Sequence, residues 1–391
     1  MQMLKRTWAE ISLDALDHNY RVLTDNVPAG TKFLGVVKAD GYGHGAVPVA
    51  RELERLGADF FAVSNVEEAV QLRRGGVARP ILILGYTPPE YAPLMADEGI
   101  RQEVNCAEYG RALSDALAGT GRTLRVHLKL DTGMSRLGFF AYGRPETLPE
   151  LLALSALPGL EAEGVFAHFS VADSRDPDDV AYTHLQFERF SAMLAQMAAH
   201  GLKPPIRHHA NSAASIVYPE YALDMIRPGI ATYGIDPSDE LAGALDLQPV
   251  MSLRTTIAQI RTVPAGTDVS YGRTYRTPGE RRIAVLTIGY ADGLPRRLSG
   301  KLEFLLHGRR IPVVGRICMD MCMADVTDVP EAAVGDTATV FGRDGDEVIP
   351  ATALSDPLGT IPYEIVCGID KRVPRLYLRG SETVETLQYI V

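Results

Sequence analysis

Cysteine is scarce in this chain. Four occur in 391 residues, Cys106, Cys318, Cys322 and Cys367, and no two have C-x-x-C spacing. Neither a disulfide framework nor a metal site is expected, and reduced thiols are the simplest reading. Positive charge is also short: 39 Lys and Arg against 49 Asp and Glu leave a net charge of −10. That balance argues against nucleic acid or an anionic membrane surface as partner. No apolar run approaches the ~20 residues of a membrane span. The opening residues, Met1-Gln2-Met3-Leu4-Lys5-Arg6, hold no apolar signal core, so the expected location is the cytoplasm. Low-complexity segments are missing too, and no repeat is visible beyond a strand–helix unit.

What remains is a globular chain, 46% apolar and long enough for two domains. Trp8–Ile11 reads as a short strand, and Ser12 as the cap of a helix to about Asn26. Strand patterns then recur at Phe33–Lys38, Phe60–Ser64, Ile81–Gly85, Gln102–Asn105, Arg125–Leu130, Glu163–Phe169, Ile206–Ala210 and Met225–Arg227. Helical patterns separate most of them, including Val66–Arg74, Ala107–Ala118 and Val180–His200. Eight such units predict an N-terminal (β/α)8 TIM-type barrel, with a doubly wound open sheet as the alternative. After about Leu247 the chain becomes extended and β-branched, with Gly and Pro turns, which predicts a C-terminal β-domain. The expected division is 1–243 for the barrel and 244–391 for the β-domain, the first strand (about 7–11) being free to pack with the latter.

The chain is organised around Val36-Val37-Lys38-Ala39-Asp40-Gly41-Tyr42-Gly43-His44-Gly45. A buried strand ends there on a lysine, then breaks into glycines that allow a ligand to approach the backbone. A strand-tip lysine is partly desolvated, which lowers its pKa and frees an amine able to form a Schiff base with a carbonyl. A solvated lysine in an ordinary βα turn is the plain alternative. Barrel enzymes place their chemistry at the C-terminal ends of the strands. Lys129, Asp131, His168, Asn211, Ser212 and Arg227 fall at those ends, and Ser212 with Gly229-Ile230 is placed to bind a phosphate. Each has a plain reading alone: His168 as a satisfied core histidine, Lys129 paired with Asp131, Arg227 in a floor ion pair. Together, a Schiff-base lysine and a phosphate site suggest pyridoxal 5′-phosphate, with Arg227 facing its pyridine nitrogen.

The motif around Lys38 resembles the cofactor-lysine signature of bacterial alanine racemases. The resemblance extends over almost the whole chain, through Lys129-Leu130-Asp131-Thr132-Gly133-Met134-Ser135-Arg136, Ala210-Asn211-Ser212-Ala213, Arg227-Pro228-Gly229-Ile230, Ser270-Tyr271-Gly272, Gly289-Tyr290-Ala291-Asp292-Gly293, Cys318-Met319-Asp320-Met321 and Ile361-Pro362-Tyr363-Glu364. It implies a homodimer whose active sites join one subunit's barrel to the other's β-domain. Lys38 would hold pyridoxal phosphate and act as base on D-alanine, and Tyr271 of the partner subunit would act on L-alanine. Arg136 and the Met319 N–H would bind the substrate carboxylate. Tyr42, Ser212, Gly229, Ile230 and Tyr363 would hold the phosphate. His168 would bridge Arg227 and Tyr271, Lys129 would be the lysine that is often carbamylated in the family, and Tyr290 and Asp320 would line the entrance. The implied activity is interconversion of L- and D-alanine, supplying D-alanine for peptidoglycan. The alternatives are a broader amino-acid racemase or a decarboxylase of the same fold, and a non-catalytic pyridoxal-phosphate-binding barrel.

Overall fold

A computed structural model describes residues 5–390. It divides into two compact units: one takes in the chain up to Ala15, Tyr42–Gly45 and everything from Pro249; the other is Leu16–Gly41 and Ala46–Gln248. The first strand, β1 (Thr7–Ser12), lies in the former and is followed by a helix, Leu13–Asp25. Ser12 caps that helix, its Oγ accepting the Ala15 N–H at 3.1 Å.

The second unit is the barrel. Its strands are β2 (Lys32–Val36), β3 (Phe60–Val63), β4 (Ile81–Ile83), β5 (Ile100–Val104), β6 (Leu124–Asp131), a short β7 (Phe139–Phe140) beside β6, β8 (Leu160–Phe166), β9 (Ile206–His208) and β10 (Met225–Ile226). They pair in parallel in the order β10-β2-β3-β4-β5-β6-β8-β9. The gap between β9 and β10 is bridged by two backbone bonds of 3.0 Å, Asp224 N–H to the Arg207 carbonyl and Arg227 N–H to the Ala210 carbonyl. Phe61, Leu82, Ile83, Val104, Val126, Leu128 and Val165 are wholly inside, as expected for strands covered by helices on one side and by the barrel interior on the other. The covering helices start where polar caps precede apolar periodicity. In Val66–Arg74, the Asn65 side chain accepts the Glu68 N–H, Ala69 and Leu72 face inward, and Glu67 and Glu68 stand at the positive end of the helix dipole. Asp176 caps the long helix Pro177–Ala199 in the same way, with proline in its first turn.

Most of the barrel strands stop one to three residues earlier than expected, and two of them bear on the site. β8 ends at Phe166, before His168, and β9 ends at His208, before Ala210. The reason is local: the Arg227 guanidinium donates to the carbonyls of Ala167 and His209 (2.8 and 3.1 Å), taking acceptors that a longer ladder would need.

The first unit is built on a ten-stranded sheet of mostly antiparallel pairings. Following β1 in the chain are β11 (Met251–Val263), a two-stranded ribbon of β12 (Asp268–Val269) and β13 (Tyr275–Arg276), β14 (Arg281–Leu286), β15 (Glu303–Leu306), β16 (Arg309–Val314), β17 (Cys322–Asp325), β18 (Thr337–Asp344), β19 (Glu347–Ile349), β20 (Arg375–Arg379) and β21 (Glu382–Leu387). The sheet order is β19-β18-β15-β16-β17-β14-β11-β1-β20-β21. β1 sits inside it, antiparallel to β11 and parallel to β20.

Gly43 and Gly45 correct an expectation. A Cβ on Gly43 would lie 2.0 Å from the Val366 carbonyl oxygen, and one on Gly45 would lie 2.0 Å from the Tyr377 hydroxyl. These glycines let the segment pack against its own unit rather than opening the backbone to a ligand.

Candidate active site

Lys38 follows β2, and the chain then turns left-handed. Ala39, Asp40, Gly41 and Tyr42 have φ of 51°, 55°, 61° and 51°. For an L-residue other than glycine this costs about 1–2 kcal/mol each. The neighbouring polar groups hold the turn in place. Glu68 accepts the Ala39 N–H on one oxygen (2.8 Å) and the Ser64 N–H on the other (2.7 Å). Asp40 accepts the Ala46 N–H at 3.0 Å, and the Gly41 N–H returns to the Val37 carbonyl at 2.8 Å. Strain of this kind, over-determined by its surroundings, marks functional positions. The Lys38 side chain is half-buried. Its strand is tied to the next rim segment by Val36 N–H, which donates to the Pro228 carbonyl at 3.2 Å.

Arg227 directly follows β10 and is 4% exposed. Burial lowers its guanidinium pKa to about 9, still cationic at neutral pH. Its acceptors are the Ala167 and His209 carbonyls, His208 Nδ1 at 3.1 Å and His168 Nδ1 at 3.2 Å. All of them meet Nη1 or Nη2, none is a carboxylate, and Nε–H is left over. An arginine always donates, so both histidines accept at Nδ1 and carry their proton on Nε2. The chain of bonds runs on downward: His208 Nε2 to His127 Nδ1 at 2.8 Å, and His127 Nε2 to Glu163 at 3.4 Å. Glu163 in turn takes a two-pronged bond from Arg101, 2.8 and 3.0 Å. The direction is consistent throughout, arginine to imidazole to imidazole to carboxylate. Burial and the nearby cations hold His168 and His208 neutral, and burial does the same at His127.

The Phe166 ring lies under two cations, with Lys129 Nζ at 4.5 Å and Arg227 Cζ at 5.3 Å from its centre. Burial, followed by the Arg227 charge, lowers the Lys129 pKa. Beyond it, Asp131 accepts the N–H groups of Gly133 and Ser135 (2.9 and 3.0 Å), shaping the loop that carries Arg136 to the surface. Asn211 caps the helix Ser212–Val217. Ser212 Oγ accepts the Gly229 N–H at 2.8 Å and the Ala231 N–H at 3.4 Å, so the hydroxyl and the Gly229–Ile230 turn meet at one place. The Ile230 N–H opens a 3-10 turn that leaves it unpaired internally. Lys129, His168, Ser212, Arg227, Gly229 and Ile230 thus come together at one end of the barrel.

The remaining residues singled out in the sequence lie in the β-sheet unit. The β12–β13 ribbon carries the Ser270–Thr274 loop, footed on a core of Val269, Ile283 and Val314. Ser270 has φ 67° and donates its hydroxyl to the Arg316 carbonyl at 2.7 Å, which leaves the Tyr271 side chain 68% exposed. Met319 and Tyr290 are on adjacent turns, joined by Tyr290 N–H to the Cys318 carbonyl (3.0 Å) and Ala291 N–H to the Met319 carbonyl (2.9 Å). Asp320 pairs with Arg372 at 2.9 Å, and Arg372 also reaches the buried Asp292, which Arg6 clamps with two bonds of 2.8 Å. Tyr42 and Tyr363 meet edge to face at 6.0 Å, and burial raises the Tyr42 pKa.

Comparison with known proteins gives this arrangement a family. Residues 11–237 match the domain described as alanine racemase, N-terminal domain, and residues 250–377 match alanine racemase, C-terminal domain. The chain belongs to the alanine racemase family. It is 48% identical over 372 residues to the alanine racemase of Desulfovibrio desulfuricans, covering 95% of this chain and 98% of that one. The solved alanine racemase of Clostridium difficile 630 superposes with a TM-score of 0.94 at 37% identity, covering all of both chains. A histidine racemase from Leuconostoc mesenteroides also superposes, with a TM-score of 0.86 at 30% identity, over 96% of this chain and 98% of that one.

Several polar residues of this alanine racemase fold escaped the sequence reading. Arg101, Glu103, His127, Glu163 and His208 all point into polar contacts of the barrel interior, and Arg372 anchors the Asp320 turn. One signal was available. Charged residues at alternate positions, such as Arg101 and Glu103 in β5 or His127 and Lys129 in β6, are unusual in a parallel strand buried on both faces.

Proposed function

We propose that this chain is a cytoplasmic alanine racemase that interconverts L- and D-alanine with pyridoxal 5′-phosphate, supplies D-alanine for peptidoglycan, and works as a homodimer with shared sites. The observation that carries the cofactor reading is Arg227. Its cation is buried with no carboxylate partner among the described residues, and Nε–H is still free to donate. A neutral ring nitrogen is a fitting acceptor for that hydrogen, and a phosphate tail fits the Ser212 hydroxyl and the Gly229–Ile230 turn. Lys38, Tyr42, Ser212, Gly229, Ile230, Tyr363, Arg227 and His168 would hold the group. Once bound, it would draw electrons from the Cα–H bond of the substrate and make that proton acidic.

The protein's own groups do the rest. Arg227 would oppose a proton on the ring nitrogen, because two adjacent cations repel, and would so temper the electron-withdrawing chemistry that the group supplies. Lys38 takes or returns the Cα proton on the face of D-alanine, and Tyr271 of the partner subunit does so on the face of L-alanine. Two bases on opposite faces are what inversion at Cα requires. His168, with its proton on Nε2, is a donor able to stabilise a tyrosinate. Arg136 and the Met319 N–H bind the carboxylate, and Tyr290 and Asp320 screen the entrance. The dimer is supported by exposed apolar side chains around the Tyr271 surface: Tyr271, Met319, Met321 and Tyr290 are 68, 53, 46 and 41% exposed.

Similarity to a histidine racemase favours one second reading, a broader amino-acid racemase. The purified protein, assayed by circular dichroism on alanine, serine, lysine, glutamate and histidine, separates the two. Bound cofactor with alanine turned over best is the expected result. A protein that takes up pyridoxal phosphate yet leaves alanine unchanged would overturn the proposal.

A further inference from the structure

The long helix Pro177–Ala199 buries a stripe of Thr183, Gln186, Phe190, Met193 and Met197, alternately three and four residues apart. That is the spacing of a helix face that meets a core. Gln186 is wholly buried in this stripe, where a leucine would pack, and a buried polar group at an apolar position is the informative exception. Every hydrogen-bonding site of its amide is used. Oε1 accepts the Ser170 N–H at 2.9 Å and the Ser170 hydroxyl at 3.2 Å. Nε2 donates to the Thr132 hydroxyl oxygen and to the His168 carbonyl, both at 3.3 Å. A backbone N–H only donates and a carbonyl only accepts, so the amide has one possible orientation. These partners lie just beyond the ends of β6 and β8, which are neighbours in the barrel. With the β8 ladder ended at Phe166, the backbone around His168 is held from two sides: Arg227 takes the Ala167 carbonyl at 2.8 Å, and Gln186 takes the His168 carbonyl and the Ser170 N–H. The same helix grips the segment after β6. About one turn to either side of Gln186, Tyr182 donates to the Gly133 carbonyl at 2.7 Å and Arg189 to the Thr132 carbonyl at 2.9 Å.

We propose that Gln186 is a positioning residue for the racemisation: through the His168 carbonyl and the Ser170 N–H it fixes the imidazole whose Nε2–H meets the hydroxyl of Tyr271 of the partner subunit. This rests on the roles given to His168 and Tyr271 above. Gln186 itself touches no reacting atom. The Arg227 bond to His168 Nδ1, 3.2 Å, restrains the rotation of the ring. Where Nε2 then lands depends on the backbone that carries the ring, and Gln186 holds that backbone on the helix side. The consequence is asymmetric. Loosening His168 weakens the base that serves L-alanine and leaves Lys38, which serves the other face, in place. A glutamine that merely filled the core would, on replacement, disturb both faces alike.

Gln186→Leu keeps the bulk and completes the apolar stripe while removing all four bonds. Initial exchange of the Cα proton of L-alanine in heavy water should fall by about tenfold to a hundredfold, the cost of a slightly misplaced catalytic group, while exchange of D-alanine changes much less. Thr132→Val, which deletes only the bond to the segment after β6, should leave the ratio of the two exchange rates at the wild-type value. In Gln186→Glu the ionised carboxylate opposes the His168 carbonyl, whereas the protonated acid donates to it. Relative to wild type at the same pH, the L-alanine rate of this variant should therefore recover as pH falls, and that of Gln186→Leu should not. If Gln186→Leu does not fold, the acid recovery of Gln186→Glu decides. Amide hydrogen exchange read by mass spectrometry, which needs no turnover, should show residues 167–171 losing protection in Gln186→Leu while the strands keep theirs. Equal loss with both enantiomers, a shifted ratio in Thr132→Val, no acid recovery in Gln186→Glu, or unchanged protection at Ser170 would each overturn the inference while wild-type racemisation stands. A wild type that exchanges neither enantiomer of alanine would instead overturn the function on which it rests.

Discussion

Glu163→Gln tests the base of the hydrogen-bonded chain that ends on Arg227. The Glu163 carboxyl is held down at about 2 by the His127 and Arg101 bonds and their charges, against a burial effect that would raise it. An ordinary glutamate sits near ~4.3, and each tenfold in the proton equilibrium is about 1.4 kcal/mol, so the ionised form is favoured by about 3 kcal/mol on folding. The folded pKa is depressed, so folded protein binds fewer protons than unfolded protein between the two values. The stabilisation is therefore complete above the unfolded pKa and disappears as pH falls towards about 2. The variant leaves Arg101, whose side chain is only 9% exposed, without its counter-ion. At neutral pH it should lose about 3 kcal/mol, at the lower end of the range for a broken buried pair. Urea unfolding followed by circular dichroism, at steps from neutral pH down to the acid range, measures the gap between wild type and variant. That gap should close as pH falls. A gap that stays constant with pH would show that the loss comes from packing, and the electrostatic reasoning would be wrong.

Two further outcomes concern the site. Borohydride reduction and peptide mapping should place the pyridoxyl group on the Lys38 peptide; a label on Lys129 with Lys38 unmodified would move the chemistry to β6. Mixing inactive Lys38→Ala and Tyr271→Ala chains should restore activity, because one site of a mixed dimer keeps both bases. No recovery despite proven subunit exchange would mean that Lys38 and Tyr271 act within one subunit.

The barrel rim was legible because its residues break the local pattern. Lys38, Lys129 and Arg227 are charges at the tips of apolar strands, and the strand–helix rhythm placed those tips at one end. The charge chain beneath them was not legible. Arg101 and Glu163 are 62 residues apart and meet only because β5 and β8 curve round the same interior. The strand expected at Gln102–Asn105 carries no pattern that sets Glu103 apart. The left-handed turn was half visible: glycine announces positive φ at 41, 43 and 45, but Ala39, Asp40 and Tyr42 adopt it without any residue-type signal, held by Glu68 from a distant helix. β20 and β21 were missed altogether. Much of β21 is exposed, and β20 is fixed by parallel pairing with β1, far away in the chain.

The central claim is that two bases serve opposite faces, and single-enantiomer exchange in heavy water tests it most directly. Tyr271→Phe keeps the ring and removes the hydroxyl. Deuterium should still enter the Cα of D-alanine through Lys38. Exchange into L-alanine and net racemisation should both fall by about 10²–10⁴, the usual contribution of a positioned acid or base. Equal loss of exchange with both enantiomers, or racemisation at the wild-type rate, would contradict the account.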